Sequence, residues 1–80
     1  MIYYETPDLG LSAALITMGY IMQGMHFTGD RAFFTFEKDP TIMDIINSYT
    51  IGSLEVEAKS YYYNLRDLKK AIYENQNTQR

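Results

Sequence analysis

The sequence predicts a two-layer α+β domain, a β-hairpin covered by three helices in the order α-β-β-α-(β)-α. Three observations predict it. Two apolar and aromatic runs, Tyr20 to Phe27 and Arg31 to Glu37, flank a Thr28-Gly29-Asp30 turn. Two proline-containing helix starts, Thr6-Pro7-Asp8 and Asp39-Pro40, each precede an apolar stripe of helical period. A third, longer stripe runs from Ala58 to Ile72. A two-stranded hairpin is marginal alone, so its aromatic face needs the helices as cover.

Residues 2–5 are short and aromatic and read as an extended segment. Thr6 can accept a bond from a free helix N–H, Pro7 suits the first helical position, and Asp8 faces the positive end of the dipole. The first helix is therefore expected over about 7–18. Leu11, Ala14, Leu15 and Met18 fall at i, i+3, i+4 and i+7, and Gly19 serves as its C-terminal cap. Gly10 costs that helix about 1 kcal/mol relative to alanine, which close packing against another element would explain.

In the hairpin, a Gly29-Asp30 loop pairs Phe27 with Ala32, Met25 with Phe34 and Gln23 with Phe36. Met25, Phe27, Ala32, Phe34 and Phe36 then share the buried face, and His26 pairs with Phe33 on the other. Ile42, Ile45, Ile46 and Tyr49 predict a short helix over about 40–49, ended by Gly52. Leu54 and Val56 alternate with Glu55 and Glu57, the short extra edge strand in parentheses above. The last helix starts near Glu57 or Ala58 and runs to about Glu74, with Ala58, Tyr61, Leu65, Leu68 and Ile72 as its seam and Glu57 available as its cap. Residues 75–80 read as a polar, frayed tail.

Eighty residues make one domain, 1–80, without an internal repeat or linker. A chain of this size buries about 60–65% of its unfolded surface, so its stability margin is thin. It has no cysteine, which excludes a disulfide scaffold, a thiol nucleophile and a thiolate zinc site. A small domain without such staples is expected in a reducing compartment and often completes its core by pairing with another chain, so a homo-oligomer enters the expectations. No apolar run is long enough to span a membrane, and Met1 to Asp8 is acidic where a signal peptide is basic. The expected location is the cytoplasm.

Seven basic against ten acidic residues give a net charge of −3, which argues against generic affinity for a nucleic-acid backbone. The eight tyrosines suit contact surfaces, and equally suit a small core. Catalytic equipment is scarce. The single histidine, His26, has no second histidine or cysteine to complete a metal site. The pairs Glu55 with Glu57 and Asp67 with Glu74 could serve acid–base work or bind a divalent cation, but Glu55 and Glu57 read more readily as the solvated face opposite Leu54 and Val56. No phosphate-cradling glycine loop is present. No cofactor and no metal are expected, and the chain is expected not to be an enzyme.

One pattern stands out. Lys59, Tyr62, Arg66, Lys69 and Tyr73 recur at +3, +4, +3 and +4 on the last helix, with Lys70 just beyond them. They form a basic and aromatic stripe roughly 100° around from the apolar seam. Such a stripe suits an acidic patch on a protein partner, or phosphate contact with base stacking. It also suits a solvated helix face whose lysines lie along rings.

The helix of Leu11, Ala13, Ala14 and Leu15 closing at Gly19, the strand Phe33 to Glu37, and Gly52-Ser-Leu-Glu-Val-Glu-Ala-Lys59 leading into a long helix resemble a small uncharacterised domain. That domain occurs in short proteins of bacteria, mainly Gram-positive ones, and of their phages. The resemblance covers nearly the whole chain. It implies a phage or mobile-element setting and a cytoplasmic location, and it carries no activity, cofactor or functional residue. Tyr61-Tyr62-Tyr63 is more aromatic than the pattern. The expected function is that of a non-catalytic protein-interaction protein, an accessory or inhibitor acting on a host or phage protein. The alternative is a small nucleic-acid-binding regulator that uses the 59–73 stripe.

Overall fold

The computed structural model describes residues 2–78 and contains β1 (Tyr3–Thr6), α1 (Leu9–Thr17), β2 (Met22–Thr28), β3 (Arg31–Glu37), α2 (Ile42–Thr50) and α3 (Ala58–Thr78). The α+β class is as the sequence predicts. The sheet is antiparallel with strand order β1-β3-β2. Its third strand is thus the N-terminal segment, whereas 54–57 form no strand. β1 pairs Tyr4 with Phe36 and Thr6 with Phe34, and Lys38 N–H donates to Ile2 C=O at 2.8 Å beyond it.

The hairpin register is as expected from the turn as far as Met25↔Phe34. There it departs. Met22, not Gln23, pairs with Phe36, because one extra residue enters β2 between Met22 and Gly24. Unbulged, the strand would aim Gln23 at the core. The bulge turns Gln23 to solvent and lets Met22 pack against the core instead.

Ala32, Phe34 and Phe36 line the inner face of the sheet, the two phenylalanines fully buried. All three helices contribute to the core against them: Leu11, Ala13 and Leu15 from α1, Ile42, Ile45 and Ile46 from α2, and Leu68 from α3. Tyr61, Leu65 and Ile72 pack half-buried beside Leu68, while Ala58, expected in that seam, is exposed. Met18, expected in the α1 stripe, lies past the helix and is exposed.

Residues 11–15 of α1 are all buried, Ser12 included. Ser12 satisfies its hydroxyl by donating to Asp8 C=O at 2.9 Å. The N-cap is Asp8 rather than Thr6: its Oδ1 accepts from Leu11 N–H at 3.0 Å. Thr6 acts one step earlier, accepting from Asp8 N–H at 3.1 Å. Gly19, with φ of 104°, closes the helix as the sequence predicts.

Gly10 has the close neighbour its sequence position implies. A β-carbon there would run into the Tyr49 hydroxyl and stand 3.3 Å from that of Tyr61. Gly10→Ala should therefore fail to deliver the roughly 1 kcal/mol that helix propensity offers. In a Tyr49→Phe background, which lacks the obstructing hydroxyl, Gly10→Ala should deliver it relative to Tyr49→Phe alone. Thermal melts of the two single variants and the double variant measure this, and a Gly10→Ala protein more stable than wild type would contradict the packing.

α3 continues to Thr78, beyond the expected end near Glu74, so 75–78 of the expected tail are helical; 79–80 lie outside the described residues.

Candidate functional site

α3 begins at a built cap. The Glu57 carboxylate accepts from Lys59 N–H at 3.0 Å, Ser60 N–H at 2.9 Å and the Ser60 hydroxyl at 2.7 Å. The Ser60 hydroxyl bond first, then the two backbone bonds, hold the Glu57 carboxyl below its ordinary value. This contribution to the helix is present at neutral pH and lost on acidification through the lowered pKa.

Packing through Tyr61, Leu65, Leu68 and Ile72 fixes which side of α3 remains open. Lys59, Tyr62, Arg66, Lys69 and Tyr73 are all exposed, as is Lys70. Their common side of the helix is the one the sequence spacing implies. Tyr62 and Tyr73 keep 60% and 66% of their surface in solvent, unusual for rings. Tyr63, which the spacing argument omitted, joins them. The Arg66 guanidinium lies 4.8 Å from its ring centroid, and Tyr62 meets it edge-on at 5.6 Å. An aromatic residue three positions before an arginine on a helix is the signal that would have found it. Arg66 also reaches Asp67 at 3.3 Å, an exposed pair of little energetic weight. Charge is divided unevenly. Residues 58–78 carry four cations against two carboxylates, and residues 2–57 carry two cations and eight carboxylates.

The opposite, outer face of the sheet carries His26. It stacks on Phe33 with centroids 5.5 Å apart and planes 12° from parallel, as the register predicts. Its Nδ1 lies 3.3 Å from Glu5 Oε2, which also accepts from the Thr35 hydroxyl at 3.4 Å. A histidine beside a carboxylate is the raw material of acid–base chemistry. Here both side chains are about half exposed, so water rather than a desolvating wall surrounds them. Glu55 is exposed and Glu57 is occupied as a cap. Among the described residues no cluster of three or more histidine, aspartate or glutamate side chains could hold a metal ion.

The sequence foresees no concavity, and the structure has several, among them an open one of about 430 Å³ beside Tyr20 and Asp39. Ala14, Tyr49, Gly52, Leu54, Val56 and Tyr61 line a pocket of about 220 Å³. The alternation at 54–56, read as a strand, instead supplies apolar wall. Burial, then the nearby Asp8 carboxylate and Tyr61, push the Tyr49 hydroxyl above its ordinary pKa. The volume of this pocket is below the roughly 300–1,000 Å³ of ordinary ligand sites.

Among the described residues no helix is long and apolar enough to cross a membrane. Among known families, the model of a domain of unknown function, DUF5659, matches residues 1–74. No curated protein and no solved structure matches the chain.

Proposed function

We propose, from the premise that the chain belongs to the DUF5659 family, that it is a non-catalytic interaction protein that binds an acidic protein surface through the open side of α3. The observation that carries this reading is the cluster of Tyr62, Tyr63, Arg66 and Tyr73, rings and guanidinium left in solvent on a helix otherwise fixed by its core contacts. Exposed tyrosine and arginine are the residues that most often dominate binding energy at interfaces. The half-exposed, solvated His26–Glu5 pair supports the non-catalytic part. A role as an accessory or inhibitor encoded by a phage or mobile element, acting in the cytoplasm, accompanies this reading and is supported only by the sequence resemblance.

The second reading, a nucleic-acid-binding regulator, draws on the same four cations. Asp67 and Glu74, interspersed among them, weaken a phosphate-tracking surface and favour a protein partner.

The test is affinity capture from lysate of the native cell with wild-type protein and a Tyr62→Ala/Arg66→Glu variant, beside oligonucleotide binding at low salt. Loss of a hot-spot pair should weaken the captured complex by about 2 kcal/mol or more, roughly 30-fold. A partner held equally by the variant would move the site off α3. Binding to single-stranded RNA or DNA that falls steeply with salt would favour the second reading.

A further inference from the structure

The two edges of the sheet are built differently. β1 is four residues long, carries Glu5 in its middle and runs into Pro7. These are devices that discourage another strand from adding to an edge. β2 is seven residues long, Met22–Thr28, and contains no carboxylate, lysine, arginine or proline. Strand order β1-β3-β2 leaves it a single neighbour. A two-residue hairpin loop makes Thr28–Arg31 a hydrogen-bonded pair, and alternation makes His26–Phe33 the next. Met25 and Phe27 therefore hold their N–H and C=O groups outward, away from β3. The bulge at Gln23 disturbs only the far end of the strand. Beside it, Gly24 has open space over its α-carbon, and Ile21 keeps 75% of its surface in solvent.

We infer that the β2 edge is a self-association surface, on which β2 of a second copy pairs antiparallel to extend the sheet across a twofold axis near His26. Met25 of each copy then exchanges N–H···O=C bonds with Phe27 of the other. A second copy fits because no carboxylate, lysine or arginine lies along the strand to meet its like across the axis; Gly24 falls opposite Thr28 of the other copy and His26 opposite its own counterpart. Such symmetric pairing uses one patch twice and closes on itself. Its area is that of one strand edge, at the low end for specific contacts, so the dimer is concentration-dependent.

The experiment is sedimentation equilibrium of the full chain from micromolar to millimolar concentration, with amide exchange at Met25 and Phe27. The expected result is a mass rising toward twice the 9.3 kDa of one chain, with both amides slowing in step. Gln23→Lys/His26→Lys, both exposed positions, should hold the protein monomeric while its circular dichroism is unchanged. A chemically synthesised chain N-methylated at Phe27 should do the same with no side chain altered. The inference is overturned by a monomer at millimolar concentration with fast exchange at both amides, or by a dimer that survives both changes. It is also overturned if these amides are protected only when an extended segment of a different protein is added.

Discussion

Phe34→Ala should remove about 3–5 kcal/mol of stability. An 80-residue domain holds about 4–12 kcal/mol in all, so a large share of the margin goes with that one ring. The reason is position. Phe34 is fully buried at the centre of β3, the middle strand, where it pairs with Met25 on one side and Thr6 on the other. Its loss opens a cavity under both strand pairs at once, and a rigid sheet cannot collapse to fill it. Urea unfolding followed by circular dichroism measures the change. Phe34→Leu, which keeps most of the volume, should cost much less and retain the fold. If Phe34→Ala melts within a few degrees of wild type, the core is not organised around that ring.

Asp39→Ala should be the most costly change of an exposed residue, about 1–2 kcal/mol. That is roughly 5–15 °C in Tm for a domain of this size. One oxygen, Asp39 Oδ1, accepts from Thr41 N–H at 3.0 Å, Ile42 N–H at 2.9 Å and the Tyr20 hydroxyl at 2.8 Å. It thus caps the entry to α2 and pins the segment before β2 to it. Asp39→Asn, which keeps an acceptor, should cost less.

The same contact has a spectroscopic signature. Burial, then the hydrogen bond to Asp39, then the charges of Asp39 and Asp44, push the Tyr20 hydroxyl up to about 12. Because the folded pKa is raised above the unfolded value near 10, this contribution is intact below pH 10 and is lost as pH rises toward 12. Ultraviolet titration of the tyrosinates should show a late-ionising tyrosine in the wild type that moves toward 10 in Asp39→Ala and vanishes in Tyr20→Phe. A Tyr20 that ionises with the ordinary tyrosines would mean that the contact does not form in solution.

What the sequence disclosed and what it withheld follow from the range of the interactions. Caps and turns are decided within four residues, so Gly19, Gly29 and the Glu57 cap are legible at sight. The α3 stripe is legible for the same reason, since helical period alone sets which residues share a side. The N-cap lies two residues beyond Thr6, where the sequence points, because Thr6 and Asp8 bond in series at that turn. β1 was legible only as extended chain. Its status as a strand depends on β3, some thirty residues away, and no local pattern names a partner at that distance. The bulge had a trace, a glutamine at a core-facing parity beside a methionine that belongs there. The pocket walled by Leu54 and Val56 had none, because alternation looks alike in a strand and in a loop that lies over a helix.

α1 has a consequence for how the chain comes together. A segment buried at every position from 11 to 15 has no solvent side, so it cannot rest stably against any one neighbour. Its cover comes from both flanks of the sequence, the sheet and α2 before residue 51 and Leu68 after it. Truncated chains that stop short of α3 should leave an oily helix without shelter and clump rather than persist as partly folded intermediates. Assembly should accordingly be all-or-none, with the last helix acting as the latch.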